Sequence, residues 1–273
     1  MVEESDIEAF GRDGAVCLRG VFRNWVDVIA AGIARNMEEP GPYASENFKP
    51  GDTGRFFDDY CNWERIPELR RVVLESPAAE IAARIMRSRT AQFFHDHVLV
   101  KEPGTSKATP WHQDMPYYFV EGRQTVSFWI PVDPVSDATL RVIAGSHRWE
   151  KLVLPVRWLD DSSFYPDPSV YRPVPNPDAE PEKYRVLEWA MEPGDAVLFD
   201  YRAVHGARAN MAERRRRALS IRWVGDDARY ITRPGRTSPP YPGHGMQDGQ
   251  RLREDWFPVV WGKREEPPVG VAG

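Results

Sequence analysis

The sequence predicts a mainly β protein with flanking helices, its core a double-sheet barrel or jelly roll. Two observations predict it. The first third of the chain carries apolar residues at helical spacing. From about residue 90 the pattern changes to short apolar runs of strand length, separated by Pro-Gly and Pro-Gly-Asp breaks. Aromatics reach 12% of the chain, with 10 Trp, enough to fill a large core or line a pocket. Many short strands after a helical start suit helices packed on a double sheet.

Residues 4–12 predict a short helix, with Ser5 as its N-cap and Ile7 and Phe10 on one face. Residues 14–18 predict a strand. Residues 24–37 predict an amphipathic helix through Val26, Val28, Ile29, Ile33 and Met37. Gly, Pro and Asp make 41–60 a loop. Residues 67–74 and 77–86 predict two helices, each opened by a Pro tolerated in a first turn. Strands are predicted at 93–101, 125–132, 140–144, 185–191, 196–199 and 219–224. Residues 150–184, rich in Pro, Asp and Tyr, predict a long insertion serving as a lid. A C-terminal loop extension follows residue 225, with 257–261 docking back on the body. Without a repeat or linker-like boundary, 1–273 reads as one domain.

Net charge is −5, so bulk electrostatics do not suggest nucleic-acid binding, and Arg214, Arg215, Arg216 and Arg217 form only one short basic run. No apolar run approaches the ~18 residues of a membrane helix. The acidic start lacks the apolar stretch of a signal peptide. Cys17 and Cys61 make no disulfide framework, so a reducing, cytoplasmic setting is expected. Oligomeric state is not readable.

With only six histidines, each can be weighed. His112-Gln113-Asp114 places an imidazole and a carboxylate two residues apart, on one side if the segment is extended. His205, just past the predicted strand 196–199, is the best third ligand. Two His and one carboxylate form the facial triad of non-haem Fe(II) oxygenases, which leaves adjacent positions open for a co-substrate and O₂. His95 and His97 also share one face of a strand, as an alternative ligand pair or, more simply, a barrel-wall pair. His147 and His244 fall in turns and read as structural.

His112-Gln113-Asp114, Leu140-Arg141-Val142-Ile143-Ala144-Gly145-Ser146-His147-Arg148-Trp149 and Pro193-Gly194-Asp195 leading to His205 together resemble the phytanoyl-CoA dioxygenase superfamily. Arg216 follows His205 by eleven positions, the family's interval for the Arg that pairs with the distal carboxylate of 2-oxoglutarate. A guanidinium fork suits that task. The resemblance runs from about Ile7 to Val224. It implies a double-stranded β-helix (cupin-like) fold, Fe(II), and oxidation of 2-oxoglutarate by O₂ to succinate and CO₂. Three positions depart from the family pattern: Asp137-Ala138 replaces Asn-Gly, Ala144 replaces Pro, and Ala207 replaces a Ser that helps bind 2-oxoglutarate. Lys101 or Thr125 could supply the missing contact. Asp114 argues against a halogenase, whose halide needs that position vacated.

Around the metal, Trp111, Tyr117 and Tyr118 are the expected substrate contacts, with Trp129 on a predicted inner face and Asp226 near the barrel mouth. No basic surface suits an acyl-CoA. The expected activity is hydroxylation of a small-molecule metabolite. The rivals are a cupin-like isomerase or hydrolase using another metal, and a binding protein that has lost turnover.

Overall fold

The computed structural model describes residues 2–47, 54–158 and 162–262. Of the expected loop at 41–60, residues 48–53 lie outside the described residues, as do 159–161 of the expected lid. Helices come first: α1 (Glu4–Asp13), α2 (Val26–Glu38), α3 (Pro67–Glu75) and α4 (Ala78–Ile85). Three strands are interleaved with them, β1 (Ala15–Leu18), β2 (Ser45–Glu46) and β3 (Phe56–Tyr60). Then follow β4 (Ala91–Lys101), β5 (Thr109–His112), β6 (Val120–Glu121), β7 (Thr125–Pro131), β8 (Leu140–Ile143) and β9 (Val186–Glu188). The series ends with β10 (Ala196–Phe199), β11 (His205–Ala207), β12 (Arg216–Val224), β13 (Arg229–Tyr230) and β14 (Val259–Trp261).

The larger sheet has the order β1-β10-β7-β12-β4-β3-β2, with β14 also on β4; the smaller runs β5-β11-β8-β9. Alternation along the central strands decides what each face does. Phe128, Ile130, Leu219, Ile221 and Trp223 face outward into a core shared with Ile29, Ile33, Leu69, Val72 and Ile81 of the helices. The intervening residues face the smaller sheet: Leu99, Trp129 and Ala218 pack with Val142 there. One face therefore anchors the helices, and the other is free to carry chemistry.

Two expectations need correction. The N-cap of α1 is Glu3, not Ser5: the Glu3 side chain accepts from the N3 backbone, while the Glu3 backbone donates to Asp6 at 2.9 Å. Residues 41–60 are not all loop. Phe56–Tyr60 is a strand because β4 offers it a partner edge, pairing Phe56 with Lys101 and Tyr60 with His97. Its acidic pair is satisfied on both sides: Asn47 donates to Asp58 at 2.8 Å, and Asn36 to Asp59 at 2.7 Å. The 150–184 insertion lies between β8 and β9 and holds itself by bridges such as Val153 with Arg172. Among the described residues no helix is long and apolar enough to cross a membrane.

Candidate metal centre and cavity

The centre lies where the smaller sheet faces the larger. β5 and β11 are neighbours, and their register pairs His112 with His205. Strand pairing alone brings the two imidazoles together, ring centroids 4.2 Å apart. Asp114 arrives differently. It has left the strand, with φ −71° and ψ −41°, and opens the short turn Met115–Tyr117. Extended alternation therefore does not aim its carboxylate. The larger sheet does: Ser127 Oγ donates to Asp114 Oδ2 at 2.9 Å, and Arg222 Nε lies 3.4 Å from the same oxygen. Oδ1 is left facing the imidazoles, 3.8 Å from the Nε2 of each. The three ligand atoms lie within 4.8 Å of one another on buried side chains.

Their protonation suits a cation. His112 Nδ1 lies 2.8 Å from the Pro110 carbonyl, and His205 Nδ1 lies 3.0 Å from that of Ala203. A carbonyl can only accept, so each Nδ1 carries the hydrogen and each Nε2 presents a lone pair. Burial, followed by the neighbouring His205, pushes His112 down to about 3; burial also lowers His205. Burial would raise the Asp114 carboxyl, but Arg222, His205 and His112 together hold it well below the usual range. Neutral imidazoles and an ionised carboxylate are the forms a divalent metal requires.

The sequence landmarks hold the scaffold of this centre. Ser146 Oγ donates to the Ile143 carbonyl at 2.6 Å and accepts from Val204 N at 2.8 Å, fixing the residue before His205. Asp195 accepts from Gly20 N at 2.7 Å and from Glu192 N at 3.0 Å, shaping the turn into β10. Gly194 in that turn has φ +90°, and a Cβ there would meet the Arg23 backbone at 2.6 Å. His147 reaches the Gly11 carbonyl at 3.2 Å, and His244 accepts from Met246 N at 2.9 Å; both serve turns and loops.

A second cluster lies along the inner face. Arg216 of β12 and Lys101 of β4 are cross-strand partners, and both are buried. Lys101 Nζ donates to the Arg208 carbonyl at 3.0 Å and lies 4.6 Å from the Phe56 ring centre. The Arg216 guanidinium lies 5.5 Å from the Trp129 ring centre, and its Nε has no partner. Burial pushes Arg216 down to about 10; burial and Arg216 together push Lys101 well below its usual value. Neither cation forms an ion pair among the described residues, whereas Arg215 pairs with Glu102 at 2.8 Å and Arg217 with Asp133 at 2.7 Å. Two adjacent buried basic side chains with no paired carboxylate are suited to an anion. Ala207 contributes no hydroxyl to it.

Other expected contacts are distributed unevenly. Tyr117 and Tyr118 line a cavity of about 360 Å³ together with His112 and Asp114. Trp111 does not. Alternation turns it to the far side of β5, where it lies 4.9 Å beneath Arg141 in a satellite cluster with Val153 and Val204. Trp129 lies deeper, against Arg216 instead of the cavity. Asp226 is a turn cap: it accepts from Arg89 N at 2.9 Å and Thr90 Oγ1 at 2.8 Å. Thr125 is set apart from Arg216. It lies opposite Val224, at the other end of β12, about 26 Å away by strand rise, and accepts from Tyr201 N at 3.4 Å. One carboxylate cannot touch both, so Lys101 alone of the two suggested substitutes meets Arg216.

His95 and His97 are barrel-wall residues, and they also line the cavity. Arg222 does so too. Sequence reasoning treated its segment only as strand; the missed signal is an arginine inside Leu219-Ser220-Ile221-Arg222-Trp223, in phase with Arg216. Val156, Arg157, Trp158 and Phe164 of the insertion line this mouth. Tyr117 Oη donates to the Val156 carbonyl at 2.7 Å and accepts from Val156 N at 2.8 Å, and the Trp158 ring meets His112 edge-on at 5.0 Å.

The model of the family described as phytanoyl-CoA dioxygenase (PhyH) matches residues 10–218. A probable phytanoyl-CoA dioxygenase of Caenorhabditis elegans is 26% identical over 214 residues, 71% of this chain; the match spans 62% of that relative's length, less than two thirds. Among solved structures, the non-haem alpha-ketoglutarate-dependent carbocyclase SnoK from nogalamycin biosynthesis has a TM-score of 0.73 at 23% identity, covering 95% of this chain and 96% of SnoK. The epimerase SnoN from the same biosynthesis has 0.76 at 20%, covering 97% and 98%. EctD from S. alaskensis, solved with 2-oxoglutarate and 5-hydroxyectoine, has 0.68 at 17%, covering 92% and 85%. These likenesses are of fold, and they identify the two facing sheets as a double-stranded β-helix.

Proposed function

Because this chain belongs to the phytanoyl-CoA dioxygenase family, we propose that it is an Fe(II)- and 2-oxoglutarate-dependent oxygenase that hydroxylates a small-molecule metabolite. The observation that carries this is the buried cluster of His112, Asp114 and His205 with its imidazoles already oriented by backbone carbonyls. Iron(II) with 2-oxoglutarate and O₂ supplies the oxidising power for C–H cleavage, the co-substrate leaving as succinate and CO₂.

The chain's own residues do the rest. His112 and His205 donate neutral nitrogen, and Asp114 provides one negative charge, with its second oxygen held by Ser127 and Arg222. Arg216 and Lys101 would hold the distal carboxylate of 2-oxoglutarate, the Lys101 amine taking the place of the hydroxyl that Ala207 lacks. Tyr117, Tyr118 and Trp158 wall the substrate side and keep water from it. The similar structures include a carbocyclase and an epimerase, so the product decides the reaction type. Incorporation of ¹⁸O from O₂ into a hydroxyl of the product identifies hydroxylation. The first test is succinate release from 2-oxoglutarate under O₂ with added Fe(II). His112→Ala and Asp114→Ala are expected to abolish it; full turnover in both variants overturns the assignment.

A further inference from the structure

Arg222 and His95 are cross-strand partners on β12 and β4, both buried, and both line the cavity beside Asp114. Each keeps one polar atom without a partner. Arg222 Nε is engaged, donating to Tyr118 Oη at 2.5 Å, but Nη1 is buried and has no acceptor. His95 Nδ1 lies 3.1 Å from the Asp96 carbonyl. That oxygen can only accept, so Nδ1 carries the hydrogen and Nε2 holds a lone pair; Nε2 is buried with no donor. Burial and the adjacent guanidinium keep the ring neutral. Both residues line the cavity, so the pair sets one unpartnered donor and one unpartnered acceptor, from neighbouring strands, at its wall.

Leaving both unsatisfied is costly, and few groups answer both. A ketone oxygen accepts from Arg222 and gives nothing to His95. A carboxylate accepts from Arg222 but sets a negative oxygen against the His95 lone pair. An ammonium suits His95 and is repelled by Arg222. A hydroxyl satisfies both: its oxygen accepts from Nη1 while its hydrogen goes to Nε2. The walls beyond combine aromatic rings with the polar side chains of Ser45, Asn47, Asp58, Arg157 and Ser238. Tyr43 and Tyr60 stack at 4.8 Å and 5°, and Trp158 lies parallel to His97 at 6.3 Å and 22°.

We infer that the substrate is a hydroxylated ring compound whose hydroxyl docks between Arg222 and His95, beside the metal ligands. This deepens the oxygenase reading and rests on it only for what happens after docking. Phenols and cyclic alcohols share this chemistry.

Binding to the full chain, without metal or 2-oxoglutarate, is measured by tryptophan fluorescence with 2-naphthol, decahydro-2-naphthol, 2-methoxynaphthalene, naphthalene and 2-naphthoate. At least one of the two hydroxyl compounds should bind about tenfold or more tightly than naphthalene and the methyl ether, the ratio expected of a charge-assisted hydrogen bond; which one separates phenol from alcohol. His95→Phe should bring the preference over the methyl ether below threefold. Arg222→Met should do the same to the preference over naphthalene. Because Arg222 also supports Asp114, His95→Phe is the cleaner variant, and a thermal melt checks that both fold. Equal binding of all five, tighter binding of 2-naphthoate, or a preference unchanged in folded variants overturns the inference. Failure of succinate release with this preference intact sinks the oxygenase reading alone; the reverse sinks the docking alone.

Discussion

Replacing Arg216 with Met separates stability from function. The guanidinium is buried across the strands from Lys101 with no paired acid, and burial pushes it from 12.5 down to about 10 against the opposing pull of Asp133. At 1.36 kcal/mol per pH unit, the charge costs about 3 kcal/mol. Below pH 10 the group is protonated in both folded and unfolded chains, so the cost is fully present at neutral pH and is relieved only as pH rises past the folded value. Loss of the Trp129 contact offsets ~1–2 kcal/mol of the gain. Arg216→Met should therefore stabilise the free protein by ~1–2 kcal/mol, raising Tm by roughly 2–6 °C. On the proposed role of Arg216, the same change would remove the fork for the distal carboxylate and leave Lys101 alone there. Affinity for 2-oxoglutarate should fall by ~30- to 1000-fold, worth ~2–4 kcal/mol. Differential scanning fluorimetry reads both: 2-oxoglutarate with Mn(II) under argon should raise the melting point of the parent protein and not of the variant. A variant that melts lower and still responds fully to 2-oxoglutarate refutes the reasoning.

Ser146→Ala removes a buried hydroxyl that bridges the Ile143 carbonyl and Val204 N. It should cost ~1–3 kcal/mol in urea unfolding and weaken metal binding through His205; metal affinity unchanged in calorimetry would show that Ser146 supports only the fold. Trp158→Ala opens the side of His112 and should raise succinate release in the absence of substrate, measured against coupled turnover; equal coupling would deny the insertion its shielding role. Asp226→Asn, in a turn away from the cavity, should lower stability by ~1 kcal/mol or less and leave succinate release within twofold of the parent.

Much of this was legible because local pattern and tertiary demand agree. The helices of the first third keep their apolar faces against the outer side of the sheet, as with Ile29 and Ile33. The spacing of His112, Asp114 and His205 pointed to one cluster, and the interval to Arg216 selected the one buried arginine among four. Apart from the N-cap of α1, which a local capping box of Glu3 and Asp6 decides, the failures share a cause, since each needed knowledge of a partner distant in sequence. Phe56-Phe57-Asp58-Asp59-Tyr60 looks like loop until β4 pairs with it. Trp111 and His112 are adjacent, yet the sheet sends them to opposite sides. Thr125 and Lys101 are equally reasonable polar strand ends; only register places one beside Arg216 and the other at the far end of β12. Arg222 was hidden by its apolar neighbours, which face the helices while it faces the metal ligands.

The rim of the cavity has a consequence for how such a catalyst diversifies. Its outer wall comes from three stretches remote in sequence: Tyr43 and Ser45 before β3, Val156, Arg157, Trp158 and Phe164 of the insertion, and Ser238 and Pro239 of the C-terminal extension. None of them supplies a metal ligand or an anchor for the co-substrate. The entrance could therefore be recut one segment at a time, by exchange with the corresponding segment of a relative, while His112 and His205 stay on paired strands and Asp114 on the turn that follows. On the proposed function, the groups that carry the chemistry and those that would select the substrate sit on separate parts of this chain.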